Sequence, residues 1–258
     1  MEEESRFATY PSLRGRVVVI TGGASGIGEA FVRAFAEQRS QVAFLDIQDE
    51  AARLLIEELT AAGLPAPTYF RCDLTNVDSI QSTLESIAAQ FGAIDTLVNN
   101  AGNDTRHTIE EATSDFWDRM MAINLKSQFF MARAVIPAMQ KAQRGSIINM
   151  SSISFMIPST GLPVYVTAKA AIVGMTRTLA RELGPHNVRV NAVMPGAIET
   201  ERQKRLWLTE EYRAEILARQ SLKRMIAPEE VARLVLFLAS DDSSAMTGQN
   251  YVIDGGFV

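Results

Sequence analysis

A run of aliphatic, mostly β-branched residues, Val17-Val18-Val19-Ile20, passes straight into Thr21-Gly22-Gly23-Ala24-Ser25-Gly26-Ile27-Gly28, and Glu29 to Arg39 then reads as a helix. A short, unbroken apolar run marks a strand buried on both faces. Glycines permit a tight turn and let backbone amides approach a pyrophosphate, and the helix N-terminus that follows adds partial positive charge. Strand, glycine turn and helix in this order predict a dinucleotide site, with Gly22, Ser25, Gly26, Ile27 and Gly28 at the phosphates.

A second strand, Val42 to Leu45, ends in Asp46, which lies 18 residues beyond Gly28. That is close to the spacing of about 20 expected for an acid that binds the adenosine ribose hydroxyls. Its carboxylate would repel a 2′-phosphate, and nothing basic lies between Gly22 and Gly28 to attract one. NAD is therefore expected rather than NADP, with Asp46 and the adjoining Ile47 at the adenosine end. Asp46 also suits the N-cap of a helix from Ile47 to Ala62, a role compatible with the first.

The remaining chain keeps alternating. Strands are expected near Thr68 to Cys72, Asp95 to Asn99, Ser146 to Ser151, Arg189 to Met194 and Asn250 to Ile253. Helices are expected near Asp49 to Ala62, Val77 to Phe91, Ser114 to Gln140, Tyr165 to Leu183 and Pro228 to Ala239. Such alternation implies an α/β fold, a doubly wound parallel sheet with helices on both faces. With 258 residues and no internal repeat, one domain is expected over 1–258. It would have a loose N-terminal segment at 1–11 and a mobile excursion at 197–225 that gates the substrate.

Within the Tyr165 helix, Tyr165 and Lys169 stand four apart and share one face. A free phenol, with a pKa of about 10, is a poor base at neutral pH. A neighbouring ammonium favours the phenolate, which can then take a proton from an alcohol as hydride leaves its carbon. Ser152, 13 residues upstream, supplies a hydroxyl for the reacting oxygen, with Ser151 as its rival.

Taken together, these motifs resemble the short-chain dehydrogenase/reductase family from about Leu13 to the C-terminus. The turn fits Thr-Gly-x-x-x-Gly-x-Gly, Asn99-Asn100-Ala101-Gly102 fits Asn-Asn-Ala-Gly, and Ser152, Tyr165 and Lys169 keep the family spacing. The resemblance implies a single-domain Rossmann-like fold and a catalytic set of Asn124, Ser152, Tyr165 and Lys169. Asn124 would hold a water that links Lys169 to solvent. It further implies cofactor contacts from Asp73 and Leu74 at the adenine, from Asn100, Ala101 and Gly102, from Tyr165 and Lys169 at the nicotinamide ribose, and from Pro195, Gly196, Ile198 and Thr200 at the carboxamide. Family members pair through the helices that begin here near Ser114 and Tyr165, so a homotetramer or homodimer is expected.

Several stretches, among them Asn99 to His107 (NNAGNDTRH) and Arg202-Gln203, resemble bacterial sugar dehydrogenases of this family that oxidise xylose or galactose at the anomeric carbon. That implies a sugar substrate, bound by Asn103, Ser152, Ser154, Tyr165 and Gln203, with Asp104 and Arg106 as further polar partners. After Ser154 the chain departs from the sugar-oxidising relatives: Phe155-Met156, then Ile157-Pro158, replaces a Trp-His pair and predicts a more apolar pocket. A deoxy sugar or a different secondary alcohol therefore stays open, as does a keto-sugar acid, whose carboxylate Arg106 or Arg202 would suit. A 3-oxoacyl thioester reductase, which usually prefers NADP, and a non-catalytic cofactor-binding protein fit less well.

Charge and composition narrow the partners. The net charge of −5 with mixed signs gives no basic patch for nucleic acid or an anionic membrane. The start Met1-Glu2-Glu3-Glu4 lacks an apolar signal region, and runs such as Leu234 to Ala239 are too short to span a bilayer. Cys72, the one cysteine, suits a reducing cytoplasm, and neither His107 nor His186 sits in a metal-ligand cluster, so no metal is expected.

Overall fold

The apolar runs form β1 (Val17–Thr21), β2 (Gln41–Asp46), β3 (Thr68–Arg71), β4 (Thr96–Asn99), β5 (Gly145–Met150), β6 (Val188–Pro195) and β7 (Asn250–Ile253). The computed structural model describes residues 7–258. All seven strands pair in parallel in one sheet, ordered β3-β2-β1-β4-β5-β6-β7. Adjacent residues point to opposite faces and residues two apart share one, so each strand feeds two cores. Val18, Ile20, Val42 and Phe44 join one core with helices α1 (Gly26–Glu37), α2 (Asp49–Ala61) and α9 (Pro228–Ala239). Val17, Val19, Ala43 and Leu45 join the other with α3 (Val77–Phe91), α5 (Ser127–Ala142) and α6 (Pro163–Leu183).

The strand order reverses between β1 and β4, because the chain leaves β1 toward β2 and β3 and then returns to the far side. A crevice opens outside the carboxyl ends of the strands at such a point. Here it is pinned by polar contacts. The Thr21 hydroxyl accepts hydrogen bonds from the Asn100 and Ala101 amides at 2.9 and 3.0 Å, and Asn100 Nδ2 donates to the Thr21 and Gly22 carbonyls at 3.0 and 3.1 Å.

Two expectations need correction. The long helix from Ser114 to Gln140 is not continuous: α4 (Ser114–Met121) gives way to a wide π-helical turn over Ala122–Lys126 before α5 begins. The cause is local. Asn124 Nδ2 donates to the Met120 carbonyl at 2.9 Å, the acceptor that its own main-chain N–H would use in a regular α-helix. The second concerns the segment expected to be loose through residue 11. Its residues 1–6 lie outside the described residues, but the rest is attached. The Tyr10 amide donates to Gln38 Oε1 at 2.7 Å, and the Arg233 guanidinium lies 4.3 Å from the Phe7 ring. The 197–225 excursion carries two exposed helices, α7 (Glu201–Leu206) and α8 (Glu210–Arg219).

Gly28 shows how tightly the glycine turn is built. A Cβ there would stand 1.8 Å from the Gly22 carbonyl oxygen, a backbone atom that cannot step aside. Gly28→Ala is expected to destabilise the protein by about 3 kcal/mol or more, lowering Tm by roughly 6–12 °C, and to abolish dinucleotide binding. Thermal melting with and without cofactor checks both; an unchanged Tm would contradict this account of the turn.

Candidate active site

The carboxyl ends of the strands open into a cleft of about 2030 Å³, more than twice the upper range of a small-ligand pocket and roomy enough for a dinucleotide beside a small substrate. Every expected cofactor, substrate and catalytic residue lines it except Asn124, which is fully buried behind the wall. The residues picked out by motif and by resemblance therefore share the wall of one cavity.

At its floor the α1 N-terminus presents amides unpaired within the helix, beside Gly22, Ser25 and Gly26. Asp46, at the end of β2, is buried and tied down. Its Oδ1 accepts from the Ile47 and Gln48 amides at 2.7 and 3.1 Å, and its Oδ2 from the Ala24 amide at 3.0 Å. Gln48 Nε2 adds a third donor to Oδ1 at 3.3 Å, so the carboxylate is fixed in place and Oδ2, with one donor, keeps capacity for another. Ile47 is exposed at the rim, Asp73 is exposed and accepts from Thr75, and Leu74 is buried between them. Gly102 leaves a cradle at the other end: a Cβ there would stand 3.0 Å from Asn124 Oδ1 and 3.4 Å from Lys169 Nζ. Glycine floor, helix N-terminus, fixed acid and open cradle together fit a nicotinamide dinucleotide.

The reacting groups gather next to that cradle. Tyr165 stands in the first turn of α6, whose start is set by Pro163 at its first position. Lys169, one turn on, is buried. Its Nζ donates to the Met150 carbonyl at 2.9 Å and lies 5.4 Å from the centre of the Tyr165 ring. Burial pushes the ammonium down to about 8, partly opposed by the charge of Asp104. Burial also raises the Tyr165 phenol above its usual range, with Asp104 adding to the rise and the hydrogen bond from Ser152 opposing it. This runs against the sequence expectation of a lowered phenol. In the protein alone, desolvation outweighs the neighbouring ammonium.

The serines separate cleanly. Ser151 Oγ donates to the Lys169 carbonyl at 2.7 Å and is used up structurally, whereas Ser152 faces the cleft and accepts from the Ser154 amide at 3.1 Å. Ser154 Oγ is buried with no hydrogen-bond partner, a hydroxyl left over for a ligand. Asn103 is less free, since its Oδ1 accepts from the Thr105 amide and hydroxyl at 2.9 and 2.6 Å. Thr200 caps α7, accepting from the Gln203 amide at 3.2 Å. Phe155 and Met156 do not line the cleft; Ile157 and Pro158 form that part of the wall. The apolar character expected there comes from the second pair.

The Asn124 side chain is tied to the loop after β4. Its Oδ1 accepts from the Asn103 amide at 2.8 Å and its Nδ2 donates to the Asn103 carbonyl at 3.0 Å. Its side chain thus clamps the loop after β4. Sequence reasoning assigned no role to His107, which fastens the same loop. Its Nδ1 donates to the Thr105 carbonyl at 3.0 Å and its Nε2 accepts from the Val164 amide at 3.5 Å, next to Tyr165. No local signal marked His107, because its partner at the start of α6, Val164, stands 57 residues away. Among the described residues no group of three or more His, Cys, Asp or Glu could hold a metal ion, and no helix is long and apolar enough to cross a membrane.

The chain resembles known proteins over almost its whole length. A family model described as Enoyl-(Acyl carrier protein) reductase matches residues 22–258. The protein named Probable galactose dehydrogenase GalD of Rhizobium meliloti is 48% identical over 247 residues, 96% of each chain. A D-xylose 1-dehydrogenase of Caulobacter vibrioides is 50% identical over 250 residues, 97% of this chain and 98% of the relative. The crystal structure of a short-chain type dehydrogenase/reductase from Mycobacterium marinum superposes with a TM-score of 0.89 at 35% identity, covering 96% of this chain and 97% of that one. With the tyrosine–lysine pair set beside a dinucleotide cleft at the switch point of the sheet, this chain belongs to the short-chain dehydrogenase/reductase family of nicotinamide-dependent oxidoreductases.

Proposed function

We propose that this enzyme uses NAD to oxidise a sugar hydroxyl, that of the anomeric C1 of an aldose, giving a lactone. The observation that carries the sugar assignment is the near-full-length identity of about half with two relatives named for galactose and xylose. The preference for NAD rests on Asp46, fixed by three backbone amides at the adenosine end. The two guanidinium groups nearest that end offer little to a 2′-phosphate: Arg33 is paired with Glu29 and Glu58, and Arg71 with Asp49.

In this reading the Ser152 hydroxyl binds the reacting oxygen and holds it against the Tyr165 hydroxyl. Tyr165 takes the proton, and Lys169, held by the Met150 carbonyl, stabilises the phenolate. When bound, the nicotinamide supplies the hydride acceptor and the positive charge of its oxidised ring, which opposes the desolvation that raises the phenol. Asn124 is a positioning residue that fixes the loop through Asn103. Ser154, with its unpartnered hydroxyl, and Gln203 on α7 reach the other hydroxyls of the substrate. Helices α7 and α8 close over it and exclude water. The single, buried Cys72 suits work in a reducing cytoplasm.

Copies pair, in this reading, across α4–α5, where Trp117 and Phe129 are 42% and 44% exposed, and across α6. Sedimentation velocity should register a mass of two or four chains, and a monomer at micromolar concentration would refute the pairing.

NADH formation with D-xylose, L-arabinose, D-galactose, L-fucose and D-glucose tests the function. At least one sugar should be oxidised with NAD well ahead of NADP, and Tyr165→Phe should lose roughly 10²–10⁴-fold in kcat. Silence across the panel would remove the sugar assignment; equal use of NADP would remove the role given to Asp46.

Lys169→Met separates catalysis from stability. Lowering a buried ammonium from 10.5 to about 8 costs the folded state about 3 kcal/mol at neutral pH. That penalty is complete below pH 8 and is relieved as pH rises from about 8 to 10.5. The variant should therefore melt higher than wild type at pH 7, with the gap closing toward pH 10.5. Its oxidation rate should fall by about 10²-fold or more, with its rise with pH displaced upward. A lower Tm at pH 7 would mean that the contact with Met150 outweighs desolvation.

A further inference from the structure

The cleft places one carboxylate close to the reacting groups, Asp104 on the loop after β4, whose charge is felt by both Tyr165 and Lys169. It is not isolated. Its Oδ1 accepts from Arg202 Nη2 at 3.1 Å and from Nε at 3.3 Å, and its Oδ2 accepts from Gln203 Nε2 at 2.7 Å, both partners standing in the first turn of α7. The side chain keeps 23% of its surface open and the Arg202 side chain 47%. Of the further arginines that line the cleft, Arg106 stacks its guanidinium 5.0 Å from the Trp207 ring and 5.3 Å from the Tyr212 ring. Its buried Nε has no hydrogen-bond partner.

We propose that Asp104 determines specificity by selecting an uncharged polyhydroxy substrate and excluding its acid counterpart, because it both accepts substrate hydroxyls and neutralises Arg202. The inference rests on the sugar reading above. A carboxylate whose oxygens each carry donors from the protein still has acceptor capacity, and sugar hydroxyls are donors that can fill it. A substrate bearing its own carboxylate would meet repulsion from Asp104, whose side chain is about three-quarters covered. It would also find Arg202 already paired, since a guanidinium committed to one carboxylate has little left for a second. Asp104 thus does two things at once: it closes α7 onto the loop and sets the sign of charge that the pocket tolerates.

The test compares ring-matched pairs: D-xylose and D-glucose against D-glucuronate, and L-arabinose and D-galactose against D-galacturonate. Within each set the ring hydroxyls match; the uronate carries a carboxylate where the hexose has its C6 hydroxymethyl group and the pentose has hydrogen. Wild type should favour the neutral sugar. Asp104→Asn removes the repelling charge and frees Arg202, so the ratio of kcat/KM for neutral sugar over uronate should fall by about 10- to 100-fold, the size expected for one charged hydrogen bond. Arg202→Ala leaves the aspartate unneutralised and should move the same ratio the opposite way, or leave uronate oxidation undetectable. Melting curves for both variants verify folding, and the paired opposite shifts distinguish charge selection from a loosened α7, which would lower both substrates together. Turnover with an unchanged ratio in both variants overturns the proposal, as does a wild-type preference for the uronate, which would give acid recognition to Arg106. No turnover of any sugar or uronate by wild type would instead overturn the sugar reading beneath it.

Discussion

The approach of the glycine turn after β1 to the loop after β4 is the contact on which the rest of the site depends. A Cβ at Gly22 would lie 2.9 Å from Ala101 Cα, so the two backbones meet with no room for a side chain between them. The Thr21 hydroxyl and the Asn100 amide tie these two loops together across the switch point. The pinning keeps the α1 amides and the Gly102 cradle at fixed separation, which a dinucleotide that must reach both requires.

Electrostatics at the reaction centre are a compromise between burial and charge. Lys169 is sunk where an ammonium is poorly solvated, and Tyr165 sits where a phenolate is poorly solvated. Each would be easier to ionise in water. What the burial provides is a setting in which every dipole and charge acts strongly on the developing phenolate, so a positive ring brought alongside has a large effect.

The loop from Asn103 to His107 is where these layers join. Asn124 grips its start from the π-helical turn, and His107 fastens its end to the first residues of α6. Between those anchors Asp104 and Arg106 reach outward to α7, Trp207 and Tyr212. A rigid inner edge and a charged outer edge let one short segment position the reacting groups and address the covering helices together.

The sequence by itself determined the sheet and the motifs that ring it. Runs such as Val17–Thr21, buried along their whole length, have no alternative to a doubly covered strand, and the Gly-rich turn admits no side chain at Gly28. The wall of the cleft, from Gly22 through Asp46 and Ser152 to Thr200, was legible because a parallel sheet brings every strand's carboxyl end to one edge. Only the tertiary structure decided the rest. It put Ile157 and Pro158 in the wall instead of Phe155 and Met156, turned Asn124 into a clamp at a break in its helix, and enlisted His107 from 57 residues away. It also joined Asp104 to Arg202 across 98 residues of chain. Local pattern fixes which elements form, through steric limits and side-chain period. Which distant polar atoms meet depends on how those elements pack, and period carries no record of that.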